Sequence, residues 1–446
     1  MKITIHRGIN QIGGCVTEIQ SDAGTKIVID LGHNLPKGDM AAPDKFEDDR
    51  ELNSLLRGVN AVFYTHGHGD HIGFEAKVHK KRIPQYIGIL AREVLMANRR
   101  HMVFAKELAE QAKASLEALR GFRVYQPGVP VDIKDIRIWP FRINHSAPDS
   151  YMFFIECDGK CALHTGDFRT HGYREGGKLW NDEDLAFCLN KFSSKVIRKP
   201  VDVLIMEGTM LNRGDSRVKS ELDVRQDIQK VLDEHKYVFA LCSSTDADRL
   251  SSLFQANKNA SPKCQRLFIV DEYQNEMLTI LRSHLGTNGK CFHNFKGEIM
   301  VYNPRSWYHS GLLEQMKKRG FLMLVRQSPK FESWLPEIME SLPDCALIYS
   351  QFGGYINPKH SAYKHTLSEF VYDRDWTVYD EGLHTSGHAD RQALTSLCQR
   401  LSPKSAIIPI HREETCDFSQ LELDQTLKDK ITTSSAVVDG IDIVIK

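Results

Sequence analysis

The stretch YTHGHGDHIG, residues 64–73, constrains this chain more than any other, because it sets His66, His68, Asp70 and His71 within six positions. Four such side chains repel or compete if all are protonated. As neutral imidazoles and a carboxylate they are ligands for a divalent metal. His66 and His68 are two residues apart, so an extended segment points both the same way. The adjacent Asp70 and His71 can then diverge toward a second ion as the chain turns into a helix. Further ligands must come from elsewhere in the chain.

The apolar run VNAVFYTH leads straight into this cluster, as a strand does when it holds a site rigidly at a sheet edge. Three more strand-like segments end on suitable groups: NHSAPDS offers His145, HTGDFR offers Asp167 and PIHREE offers His411. Singly, each such histidine is more often a satisfied core residue. Their joint occurrence after apolar strands makes a candidate shell. A structural zinc site closes on four Cys and His ligands, so a larger set that includes carboxylates argues against that role. No CxxC pair occurs among the ten cysteines, which read as small buried thiols, not as disulfides or a zinc ribbon.

The first third of the chain reads as strands (KITIHRG, VTEIQS, TKIVIDLG), followed by one long helical stretch from about Ala91 to Arg120 that would cover the sheet. DIRIWPFRI and SYMFFIECDGKCALHTGD continue as strands, the latter a hairpin turning at Asp158-Gly159. VDVLIMEGT is a buried-type strand that ends in Glu207. From about Leu211 helices and strands alternate, which predicts an inserted parallel α/β unit with its own sheet. WTVYDEGLHTSGHAD, RQALTSLCQRL and SAIIPIH then return to the first domain. The expected class is α/β, divided at 1–210, 211–370 and 371–446. No run of about 18 apolar residues predicts a membrane span. MKITIHRGINQIGGC alternates like a strand and lacks a signal peptide's apolar core, so the mature chain is expected to begin there, in the cytoplasm. Lys plus Arg equals Asp plus Glu at 58 each, which excludes a strongly basic nucleic-acid binder; any anion site must be local, with metal ions supplying charge.

HGHGDH, followed by HSAPDS, TGDFR and IH, resembles the metallo-β-lactamase superfamily. The resemblance implies an αββα sandwich with two metals at the sheet edge. It places His66, His68 and His145 on one ion, Asp70, His71 and His411 on the other, and Asp167 between them. Zinc is the expected metal, with manganese compatible, and Asp30, at the end of TKIVIDLG, would orient a ligand. Glu207 in MEGTM, His388 in HTSGHAD and His411 further resemble motifs A, B and C of the β-CASP nucleases, which flank an inserted domain. A histidine at the third motif is associated there with RNA-directed members. The order TGDFR, EGT, TSGHAD, PIHREE resembles the ribonuclease J group, in a short form without its C-terminal domain.

That resemblance implies a ribonuclease, exonucleolytic from the 5′ end, endonucleolytic or both, acting on single-stranded RNA through a hydroxide held by two zinc ions. Asp70, Glu207 and His388 are its expected catalytic residues, with His388 protonating the departing 3′ oxygen and Glu207 orienting it. SSTDADR supplies Ser243, Ser244 and Arg249 as phosphate contacts; from spacing alone it reads equally as a helix N-cap beside a solvated Arg249. Ser386, Gly387 and Ala389 would meet substrate around His388. Arg305, Trp307, Tyr308 and His309 in PRSWYHS could stack on bases, or be ordinary loop or core aromatics. A DNA exonuclease, a small-molecule phosphodiesterase with the insertion closed over a small pocket, and a silent RNA-binding subunit are the competing readings. A silent relative is expected to have lost ligands, and none is missing. Assembly into a homo-oligomer is compatible with all of them.

Overall fold

Runs such as KIVI, VLIME and AIIPI are apolar at successive positions, which suits strands covered on both faces. The computed structural model describes the chain except residues 41, 106, 175–177, 180–199, 214–217, 262–265, 286–297, 304–310, 433–441 and 446. Two of its sheets lie face to face. The first runs Asp442–Val444, Lys2–Arg7, Val16–Gln20, Lys26–Ile29, Ala61–Phe63, Gln85–Gly88, Arg123–Tyr125. The second runs Ala406–Ile410, Val203–Glu207, Lys160–His164, Ser150–Cys157, Ile136–Ile143, Val131–Ile133. Between them Ile3, Ile27, Ile29 and Phe63 share a core with Ile138, Phe153, Ile155, Val203, Ile205 and Ile408.

Side chains alternate along a strand, so the intervening residues face outward. Val28 and Val62 pack under helices Asp49–Leu56, Ile89–Met102 and Ala109–Arg120, while Leu204 and Ile407 pack under helix Arg391–Leu401. The result is the αββα sandwich expected from the motifs. Each buried Ile, Leu or Phe stabilises by about 1.5–3 kcal/mol. A one-residue slip would turn whole rows of them outward, which pins the register.

A third sheet belongs to the insertion. Its strands, all parallel, run Met300–Val301, Leu267–Val270, Phe321–Val325, Tyr237–Cys242, Cys345–Ser350, Thr377–Tyr379. Thr377–Tyr379, expected in the returning segment, pairs with Cys345–Ser350, so the insertion's sheet extends past residue 370 to Tyr379. The single helix expected from Ala91 to Arg120 is instead two, Ile89–Met102 and Ala109–Arg120. A continuous helix of that length would reach about 45 Å. Folding back lets Ala91 and Leu95, then Ala118 and Leu119, cover one sheet face. It also frees Leu90, Val94 and Ala97 to pack against Met277, Leu278 and Leu281 of the insertion. Among the described residues no helix is long and apolar enough to cross a membrane.

Register carries the strand ends to one rim. His164 pairs with Ile205 and Glu207 with Ile410, so the segments leading to Asp167, Glu207 and His411 emerge side by side. Ile29 pairs with Phe63 on the facing sheet, which brings Asp30 beside Thr65 and the histidine cluster.

Candidate metal centre

The motif loop is held from below. His68 is extended, at φ −72° and ψ 146°, and the helix Gly69–Ile72 begins directly after it. Leu31 N–H donates to the His71 carbonyl at 2.7 Å and His33 N–H to the Gly69 carbonyl at 3.0 Å, strapping residues 31–33 against that turn. At Gly32 a methyl group would overlap the Asp70 carbonyl carbon and oxygen, both backbone atoms that cannot swing aside. Gly32→Ala is therefore expected to cost about 2 kcal/mol or more by overpacking. At Gly353 a methyl would meet nothing within 4 Å, so Gly353→Ala should move a urea midpoint little. Urea unfolding of the pair checks this.

Asp167 sits at the centre of the rim. Its Oδ2 is 3.1 Å from His71 Nε2, 3.5 Å from His411 Nε2, 3.8 Å from His388 Nδ1 and 4.0 Å from both His66 Nε2 and His145 Nε2. The ligand atoms of His66, His68 and His145 form one convergent group, and Asp70 Oδ2 lies 3.3 Å from His411 Nε2 and 3.8 Å from His71 Nε2. All seven residues proposed from sequence as ligands thus meet at one place. The remaining nitrogens are fixed by other groups. Asp30 accepts from Thr65 N–H at 2.7 Å and from Thr65 O–H at 2.8 Å, and lies 2.8 Å from His71 Nδ1. Thr65 Oγ1 lies 3.0 Å from His66 Nδ1, Gly387 O 2.6 Å from His145 Nδ1, and Thr209 Oγ1 2.7 Å from His411 Nδ1. Such partners hold an imidazole's tautomer and aim its other nitrogen inward. Asp30 and His411 both take the left-handed conformation, φ +57° and +50°. That strain, about 1–2 kcal/mol each, turns two strand ends abruptly into the site.

Two observations fit this donor set to divalent cations. His66 Nε2 is buried with no hydrogen-bond partner, a costly state for a polar atom unless something else satisfies it, and His71 Nε2, equally buried, has only the Asp167 carboxylate at 3.1 Å before it. The electrostatics also suit ligation. Burial, reinforced by neighbouring imidazoles, pushes the His66 and His145 pKa values well below the ordinary histidine range, leaving lone pairs available. Burial opposes ionisation of Asp70 and Asp167, yet the surrounding histidines outweigh it and hold both carboxyls well below their usual range. His71 is the exception: burial disfavours its charge, but Asp167, Asp30 and Asp70 raise its pKa well above the ordinary value. A bound cation would replace that proton. Cys15 Sγ joins His71 and His411 in the same neighbourhood, but burial raises its thiol strongly and keeps it neutral.

Beside this cluster Glu207 is fully buried. Its Oε2 is 2.8 Å from His388 Nδ1, and its Oε1 accepts from Phe168 N–H at 2.8 Å and Ala389 N–H at 3.3 Å. Burial opposes charge on His388, but Glu207 and then Asp167 raise its pKa above the ordinary value. Gly387 approaches His145 so closely that a side chain there would strike Ser146 Oγ.

Two of the residues expected to contact substrate do not face it. Arg249 is 1% exposed and saturated internally, donating to Glu221 at 2.9 Å, to Ser350 Oγ at 2.5 Å and to the Leu383 carbonyl at 3.3 Å. It is neither a phosphate contact nor the solvated arginine of the N-cap reading, because a buried carboxylate claims it. Ala389 is fully buried and contributes its N–H to Glu207. Asp246 caps the helix Ala247–Asn259. Ser243, Ser386 and Gly387 line the cleft, and Ser244 is half-buried beside Ser243. Arg305, Trp307, Tyr308 and His309 lie outside the described residues.

The cleft, about 1790 Å³, runs between the ligand rim and the insertion. Its far wall holds residues not singled out from sequence: Arg213, 4.8 Å over the Phe352 ring, and Lys364, 4.3 Å over Tyr355. The available signal was positional. QFGGYINPKHSAYK follows the apolar strand Cys345–Ser350 just as the ligand loops follow theirs.

An αββα sandwich whose strand ends converge on histidines and aspartates defines a class, and the comparisons agree with it: residues 15–192 match the metallo-β-lactamase superfamily, and residues 381–421 match the Zn-dependent metallo-hydrolase RNA specificity domain. Its relatives support a ribonuclease J-like protein of β-CASP type. It is 28% identical over 180 residues to ribonuclease J of Mycoplasma pneumoniae, covering 40% of this chain and 29% of that one. The corresponding match to the Helicobacter pylori protein is 26% over 171 residues, 38% of this chain and 23% of that one. Ribonuclease J of Mycoplasma genitalium matches at 23% over 431 residues, 92% of this chain and 68% of the relative. The chain thus spans less than a third of the length of the first two relatives. A crystal structure of a protein of unknown function from Enterococcus faecalis V583 has the same fold, with a TM-score of 0.68 at 20% identity, covering 100% of this chain and 99% of that one.

Proposed function

We propose that the protein is a metal-dependent ribonuclease that hydrolyses phosphodiester bonds of single-stranded RNA. The observation that carries the reading is the Glu207–His388 pair, 2.8 Å apart, set 3.8 Å from the central Asp167 carboxylate. A metal cluster alone serves many hydrolases; a buried carboxylate behind a second histidine, whose charged form it favours, adds a proton donor for a poor leaving group. The match to an RNA specificity domain covers both His388 and His411 and supports RNA over other phosphodiesters. A cleft of about 1790 Å³ exceeds the roughly 300–1,000 Å³ of small-molecule sites and suits a polymer.

His66, His68 and His145 would hold one ion, Asp70, His71 and His411 the other, and Asp167 both. When bound, the ions, zinc by preference, supply an activated water for attack at phosphorus and offset charge growing on the phosphate oxygens. The chain does the rest. Glu207 accepts from His388 Nδ1, which fixes the ring and leaves Nε2 to give its proton to the departing 3′ oxygen. Phe168 and Ala389 N–H groups hold Glu207 in turn, so the acid is registered against the loop that carries Asp167. Arg213 and Lys364, backed by aromatic rings, would meet the phosphates of the incoming strand.

The test is product analysis on end-labelled RNA bearing either a 5′-phosphate or a 5′-hydroxyl. Products ending in 5′-phosphate and 3′-hydroxyl are expected, with dependence on the 5′ end separating exonuclease from endonuclease action. A 2′,3′-cyclic phosphate as primary product would make the 2′-hydroxyl the nucleophile and overturn the mechanism.

A further inference from the structure

Three backbone carbonyls hold the loop that carries His388, and each is bound by a buried side chain. Gly387 O lies 2.6 Å from His145 Nδ1, Leu383 O accepts from Arg249, and Ser386 O accepts from Arg169 Nη1 at 3.3 Å and pairs with His171 Nε2 at 2.8 Å. Arg169 is the unusual member, being wholly buried and two residues beyond Asp167. Its Nε donates to Asn144 Oδ1 at 2.7 Å, immediately before the ligand His145, and its own N–H donates to the Asn144 carbonyl at 2.8 Å. Its Nη2 donates to Asp248 at 2.6 Å and its Nη1 reaches Glu221 at 3.4 Å, both on the insertion. Asp248 also accepts from Asn144 Nδ2 and Tyr173 N–H, each at 3.0 Å. The fit is close: a side chain at Gly172 would overlap Asn144 Oδ1 and Asp248 Oδ2.

One planar fork therefore touches the neighbours of three site residues, Asp167 through its own chain, His145 through Asn144 and His388 through Ser386, and anchors all of them to two insertion carboxylates. We propose that Arg169, seconded by His171, is a positioning residue that sets the His388 loop against the metal ligands. A guanidinium has five donors in fixed directions; a lysine ammonium has three on one atom and cannot span Asn144, Ser386 and Asp248 together. A residue holding the insertion only for stability would alter all chemistry alike. A residue aiming the acid should matter in proportion to how much the leaving group needs a proton.

This inference rests on His388 acting as the acid. The experiment compares Arg169→Lys, His171→Leu and His388→Ala as metal-loaded full-length proteins on two substrates, a single-stranded RNA oligonucleotide and bis(4-nitrophenyl) phosphate, with metal content measured for each. Arg169→Lys keeps the buried charge. Its kcat on RNA should fall about 10–100-fold, a loss of the size seen when groups that orient metal-ligating side chains are removed, with RNA KM near wild type. On the nitrophenyl diester its loss should shrink to about threefold or less, because that leaving group needs little protonation. His171→Leu removes one Ser386 contact without touching an ion pair, and keeps the test open if Arg169→Lys folds poorly; it should show the same substrate dependence at smaller amplitude. Equal losses on both substrates, lost metal, or unchanged activity in both positioning variants would overturn the proposal while His388→Ala still discriminates between the substrates. If His388→Ala itself fails to discriminate, the acid assignment falls and this inference with it.

Discussion

Asp167→Ala is expected to empty both metal positions at once. Its Oδ2 lies within 4.0 Å of five imidazole nitrogens, and no other carboxylate among the described residues reaches so many. Removing it leaves buried histidines facing one another without the anion that balances a cation's charge, so metal should drop from about two ions per chain to well below one. Even an outer partner of a ligand is worth about 10–100-fold, and a ligand shared by two ions should cost more. Elemental analysis with RNA cleavage checks both parts. His411→Ala offers the contrast, since it strips a ligand from one side only and should recover partly with added metal. A wild-type protein that cleaves RNA while metal-free would contradict the whole site.

His388→Ala is expected to keep both metals and still bind RNA, yet to lose about 10²–10⁴-fold in the chemical step. The reason is its place: Nδ1 is committed to Glu207 at 2.8 Å, and the nearest Asp167 oxygen is 3.8 Å away, too far for a hydrogen bond. Single-turnover cleavage and metal content, measured on one preparation, separate the roles. If the variant loses metal, His388 belongs to the ligand shell, a reading the convergence of Asp167, Glu207, His388 and His411 keeps geometrically open.

HGHGDH, with the strand-end positions of His145, Asp167 and His411, made legible in one dimension the candidate ligands that the fold brings to one place. The physical ground is that parallel neighbours in a sheet end at one edge, so ligands placed just beyond apolar runs converge whatever the loops between them do. Side-chain direction within a loop has no such period. SSTDADR announces a helix start, and Asp246 does cap one. That Arg249 turns inward to Glu221, 28 positions away in sequence, is set by burial of both groups against the third sheet. Ala389, which the resemblance places against substrate, instead turns its N–H to Glu207, a need that nothing local in HTSGHAD announces.

By itself the sequence determined the class of site: which side chains can bind cations, which strands deliver them, and that a separate α/β unit interrupts the sandwich. Only the tertiary structure decided where that unit ends, that the helical stretch divides into Ile89–Met102 and Ala109–Arg120, and that Arg169 spans the candidate ligand loops and the insertion. The division has one cause. Hydrophobic periodicity is a local property, written in every few residues, whereas a buried ion's partner is chosen by whatever charge the completed fold brings within about 3 Å of it.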